Sequence, residues 1–116
     1  MAAYTRVLLS GSTNGRGIKV VATATAGTTI HTAIAGTTDM DEVWLWAQNI
    51  HTAAVTLTLE WGNASTDDNI IVTIPAKSGL YLVAPGLLLQ NELVVKAFAS
   101  TANVIIIHGY VNRLDY

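Results

Sequence analysis

From Val55 to Trp61 the chain alternates without interruption: Val55, Leu57, Leu59 and Trp61 fall on one side, Thr56, Thr58 and Glu60 on the other. A two-residue period is the signature of a strand that buries one face and wets the other. The segment just before it, Glu42 to Gln48, keeps the period but loses the contrast. Val43, Leu45 and Ala47 make one apolar face, while the opposite face carries Trp44 and Trp46 between Glu42 and Gln48. Antiparallel strands commonly show one side to water, so two tryptophans on the nominally wet side call for a second cover. The last apolar stretch, Ala102 to Arg113, poses the same question: Val104, Ile106, His108 and Tyr110 line one face, and Ile105, Ile107 and Val111 the other.

Elsewhere the pattern is plainer. Ile18 to Thr25 and Thr29 to Ile34 are β-rich, each bounded by an Ala-Gly-Thr-Thr turn at 26–29 and 35–38. Ile70 to Ile74 stops at Pro75, which has no N–H to give a ladder. Lys77 to Val83 and Glu92 to Ala99 complete the set, with the state of Leu87-Leu88-Leu89 left open by its lack of period. No stretch sustains a helical stripe. About eight short strands with regular turn signals predict an all-β fold, an antiparallel β-sandwich of jelly-roll type with little or no helix. Residues 1–16 lack periodicity and contain the breaker run Ser10 to Gly15, so they are expected to form an N-terminal arm or loop ahead of a single domain over 17–116.

Composition narrows the function classes. The 116 residues suffice for one core. Cysteine is absent, which removes disulfides and thiolate chemistry. A net charge of −2 and a pI near 5.8 carry no nucleic-acid footprint. Only 12% of residues are charged, against about 25% in an average domain, so the surface is expected to be threonine-rich or covered. Val7-Leu8-Leu9 is too short for the apolar region of a signal peptide, and every apolar run breaks long before the ~18 residues of a spanning helix. A soluble protein without membrane partners is expected.

Candidate chemistry is sparse. The glycine cluster Gly11 to Gly17 has the wrong spacing for a phosphate loop and precedes a strand, so an ordinary loop is expected. His31, His51 and His108 lie on separate elements without metal-ligand spacing. The acids Asp39, Asp41 and Glu42, and the pair Asp67 and Asp68, suit either solvated turns or a calcium loop, and turns are favoured. No nucleophile elbow is present. The chain is expected to be no enzyme and to need no cofactor or metal. For Trp44 and Trp46 three readings stand: cover by a sheet edge or the 1–16 arm of the same chain, a protein interface, or a sugar-stacking platform. The aliphatic character of the two-faced last strand favours the interface, with Trp44, Trp46, Arg16, Ile105, Ile107 and Tyr110 as its candidate residues.

The runs Gly15-Arg-Gly-Ile-Lys-Val20, Asp41-Glu-Val-Trp-Leu45, Leu57-Thr-Leu-Glu-Trp-Gly62, Ile74-Pro-Ala-Lys-Ser-Gly-Leu-Tyr-Leu-Val83 and His108-Gly-Tyr-Val-Asn-Arg113 together resemble the small β-sandwich virion proteins of tailed bacteriophages, in particular head decoration or cement proteins. The resemblance implies a homotrimer on the capsid surface that clamps neighbouring major capsid protein subunits, often through a terminal arm, made in the host bacterial cytoplasm. The alternative is a tail, neck or fibre-associated module that binds glycans.

Overall fold

A computed structural model describes residues 3–116, and two antiparallel sheets packed face to face account for the strands. In chain order these are β1 (Ala3–Leu8), β2 (Ile18–Lys19), β3 (Thr28–Thr32), β4 (Met40–Asn49), β5 (Val55–Trp61), β6 (Asn69–Ile74), β7 (Tyr81–Leu89), β8 (Val94–Ala99) and β9 (Ile105–Asp115). A 3-10 turn, Thr66–Asp68, precedes β6. Sheet A has the order β1-β9-β4-β7 with β2 also on β9, and sheet B the order β3-β8-β5-β6. Leu8 pairs with Tyr110 and Ile18 with Ile107, so β1 and β2 share one side of β9 and are two halves of one strand, with 9–17 extruded between them. Taken as one, they complete the two interleaved Greek keys of a jelly roll.

The period-2 segments become strands because each has an inward stripe to bury. On β4 that stripe is Asp41, Val43, Leu45, Ala47 and Asn49; β5 adds Val55, Leu57 and Leu59, and β8 adds Val95, Ala97 and Ala99. Burial of each large aliphatic side chain stabilises the fold by about 1.5–3 kcal/mol. Ile105 and Ile107 belong to this core. They pair with Asn49 and Ala47, point between the sheets and have no exposure, which corrects their assignment to an interface: the other parity of β9 faces outward.

The N-terminal expectation also changes. Ala3–Leu8 is not an arm but an edge strand of sheet A; Met1 and Ala2 lie outside the described residues. The segment expected as a strand over 18–25 is one only at its start. After Val20, whose N–H donates to the Ile105 carbonyl, it leaves sheet A and crosses to sheet B. There it covers residues that alternation assigns to solvent: Glu60 is buried and accepts from the Gly27 N–H at 2.6 Å and the Thr25 hydroxyl at 2.9 Å. Gly27 is required because a Cβ would meet the Ala97 backbone at 2.6 Å. Leu87-Leu88-Leu89 is the end of β7.

A buried polar clasp ties the sheets together. A register shift between Thr29 and His31 on β3 turns both Ile30 and His31 inward, a bulge that re-aims a side chain. His31 Nδ1 accepts from the Ser10 N–H at 3.0 Å, so the ring proton sits on Nε2 and is donated to Asp41 at 2.7 Å. Arg113 on β9 donates to both Asp41 oxygens, at 2.8 and 3.1 Å, and the Ile34 N–H adds a further bond. Burial pushes the Asp41 pKa up, but hydrogen bonds from Arg113 and then His31, with the charge of Arg113, outweigh it and hold the carboxyl below its ordinary value. The same bond raises the Arg113 pKa.

Because the folded pKa of Asp41 is depressed, the stability it contributes is full above its unfolded value of about 4 and is lost as pH falls through the folded value. Asp41→Asn should cost about 3 kcal/mol at neutral pH, since it leaves Arg113 without its buried partner, and should flatten the acid-side loss of stability. Urea titrations between pH 7 and pH 2 measure both effects.

Candidate interaction surface

The outward parity of sheet A brings together side chains that are far apart in the chain. Across β1, β9, β4 and β7, register places Arg6, Asn112, Glu42 and Leu88 in one row, and Leu8, Tyr110, Trp44 and Pro85 in the next. Tyr4, Leu114 and Met40 lie on one side of these rows; His108, Trp46 and Leu82, then Lys19, Ile106 and Gln48, lie on the other. No further strand among the described residues covers this face. Tyr4, Leu8, Leu82 and Leu88 are 45–69% exposed, and Trp44, Trp46 and Tyr110 are half-buried only by one another and their neighbours. The outer face of sheet B is more polar. It presents Thr29, Thr56, Thr73 and Lys96 around Ile71, Phe98 and Val94, of which Ile71 is exposed and the other two are half-buried.

The aromatic residues form a continuous stack. Trp44 and Trp46 lie 6.1 Å apart at 19°, Trp46 and Tyr110 6.0 Å apart at 28°. The Arg6 guanidinium sits 5.1 Å from the Tyr110 ring centre. Each such contact adds about 0.5–1.5 kcal/mol to simple burial. At the other end the Trp44 ring lies over Gly86, where a Cβ would come within 2.9 Å of it. Trp44 Nε1 donates to Glu42 at 2.6 Å and Asn112 Nδ2 donates to the same oxygen at 3.1 Å. These bonds, Trp44 first, hold the Glu42 carboxyl below its ordinary pKa against the small opposing effect of burial. The result is a contiguous aromatic row in which the Trp46 ring stacks, offset, between Trp44 and Tyr110.

Other polar groups are committed to structure. Ser10, His31 and Asp41 meet in space, but Nδ1 of His31 is held by the Ser10 backbone N–H and Nε2 by Asp41, which leaves no ring nitrogen for a hydroxyl. Alternation sends Asp41 inward and Glu42 outward, so the acidic run does not converge. A cavity of about 250 Å³ opens beside Glu60, Glu92 and Lys96 on sheet B; its buried carboxylate already accepts from Gly27 and Thr25. Among the described residues no three His, Asp or Glu gather as a metal site, and no helix is long and apolar enough to cross a membrane.

Of the residues singled out by sequence, the fold unites Trp44, Trp46 and Tyr110. Arg16 is exposed on the 9–17 loop, outside the four strands. Ile105 and Ile107 are core, and Ile106 takes the outward place beside Gln48. Tyr4, Leu8, Leu82 and Leu88 were missed. For Leu8 the pairing partner Tyr110 was the missing information; for Leu82 and Leu88, two register shifts in the β4–β7 ladder hide the parity. No family model, curated protein or solved structure matches this chain. The surface must therefore be interpreted from its own chemistry.

Gly86 has φ +78° and supports Trp44, whereas Gly36 has φ +86° with open space around it. Gly86→Ala and Gly36→Ala should both cost about 1–2 kcal/mol in backbone strain. Only the first should weaken the tryptophan exciton signal in circular dichroism, because only there does the new methyl displace the ring.

Proposed function

We propose that this protein is a non-enzymatic structural component of a tailed-phage virion, a capsid decoration or cement protein that stabilises the head by bridging neighbouring major capsid protein subunits. One observation carries the structural part of that reading: a sandwich with a threonine-rich outer face on one sheet has a continuous apolar, aromatic and weakly charged outer face on the other. Aromatic enrichment and charge depletion are the marks of a protein interface core. The resemblance of the sequence runs supplies the phage context and implies a homotrimer. Many identical contacts of modest strength on one shell sum through multivalency, so a small rigid unit suffices for a clamp.

The glycan-binding alternative is disfavoured by the aromatic geometry. A sugar ring stacks on an open aromatic face, and here Trp44, Trp46 and Tyr110 turn their faces to one another, with Arg6 over Tyr110. Leucines flank the row, and they match apolar protein side chains better than hydroxyls.

Purified protein mixed with phage heads that lack their decoration protein should cosediment with them, saturate at a fixed copy number and raise the temperature at which the heads release DNA. Absence of cosedimentation across heads from a range of tailed phages, together with specific binding in a glycan screen, would overturn this role in favour of the tail or fibre module.

A further inference from the structure

The apolar face of sheet A is a grid of known register, and the positions of its charges restrict what can cover it. Arg6 lies on β1 and Glu42 on β4, in the same row, on either side of Asn112 on β9. Among the described residues neither forms a salt bridge within the chain. They are the charges within the patch, with Lys19 at its corner. Two opposite charges placed symmetrically about one strand are self-complementary under a rotation about that strand.

We infer that this face is covered by the same face of a second copy, with a two-fold axis running along β9. A half-turn about β9 keeps every row and exchanges the strands beside it, so that β1 of one copy lies over β4 of the other. Arg6 then meets Glu42, Leu8 meets Trp44, Tyr4 meets Met40, and Tyr110 meets its own counterpart. Lys19 falls over Gln48, a neutral acceptor. An axis between β9 and β4 would instead set Arg6 over Leu88, taking a guanidinium out of water with no carboxylate to meet it. The charges thus select one of two otherwise similar packings, within the ~30° rotation usual for stacked sheets.

The area is adequate. Three strands about 4.8 Å apart and five rows about 6.8 Å apart cover about 500 Å² on each copy, or about 1,000 Å² in total, which reaches the lower bound of a specific interface. An interface that is its own complement closes at two copies. The pairing rests on the interface reading proposed above, names the occupant of the face, and replaces the three-fold assembly implied by resemblance with a two-fold one. It also leaves β7 of each copy at the flanks with Leu82 and Leu88 uncovered, so a pair carries two identical apolar edges, as a clamp between identical shell subunits requires.

The chain contains no cysteine, so a single introduced thiol reports the axis without background. Tyr110→Cys should give a disulfide-linked dimer under mild oxidation, while Thr73→Cys on the outer face of sheet B should stay monomeric on a non-reducing gel. Light scattering over a concentration series should show a reversible dimer. Arg6→Glu or Glu42→Arg alone should raise its dissociation constant at least about ten-fold, and the two together should restore it. Circular dichroism checks that each variant is folded. A concentration-independent monomer, a trimer, or single reversals without effect would overturn the two-fold pairing, as would a folded double variant that fails to recover. These outcomes are read on free protein, whereas the decoration role is read on phage heads, so either can fail without the other.

Discussion

Strand β4 sits in the middle of sheet A, between β9 and β7, and its inward stripe must be satisfied along its whole length. Its centre is apolar, Val43, Leu45 and Ala47, but both ends are polar and fully buried. At one end Asp41 is met by His31 from sheet B and Arg113 from β9. At the other, Asn49 donates to the carbonyls of Ala53 and Ile74 at 3.0 Å and accepts from the His51 N–H at 2.9 Å. A buried polar group left unpaired costs about 1–3 kcal/mol, so these two clasps fix the strand lengthwise. A slip of one residue would turn Trp44 and Trp46 into the core and Val43 and Leu45 out of it.

With the inner face of β4 fixed, its outer face has no freedom. Trp44 and Trp46 must stand on the back of sheet A, and β9 brings Tyr110 and Ile106 beside them. Sheet B receives the opposite treatment. The crossing segment that leaves β2 lies against it, seals Glu60 and leaves threonines outside. The same jelly-roll path therefore yields one back that water tolerates and one that it does not. That asymmetry, and not the fold, supports an assembly role, because jelly rolls host many functions. The low charge of the chain fits the same proposal: a face covered by protein would carry only the charges that a partner can meet.

The loop between β1 and β2 shows how the two demands are reconciled at the edge of the sheet. The strand beside β9 is interrupted for residues 9–17, and Leu9 is buried while Ser10 donates its N–H to His31 and its hydroxyl oxygen accepts from the Thr32 N–H. Gly11 passes so close to the Thr29 and Ile30 carbonyls that a Cβ would meet them at 2.5 and 2.6 Å. A stretch rich in chain breakers is thus held by backbone bonds, and the strand resumes at Ile18 in line with the part it left.

The amino-acid sequence by itself determined the all-β class, the two-faced character of β4 and β9, and the pairing of Trp44 with Trp46, because side-chain alternation is a property of adjacent residues and needs no partner to be visible. It did not determine which parity of β9 points inward, and the assignment of Ile105 and Ile107 to the surface failed for that reason: both parities are apolar, and only pairing with Ala47 and Asn49 separates them. Ala3–Leu8 reads as an arm until β9 offers it a ladder. His31 enters the core through a bulge, and Glu60 is covered by a segment more than thirty residues earlier in the chain. These outcomes rest on contacts between distant residues, whose energies are set by what the fold brings alongside, and only the tertiary structure could decide them.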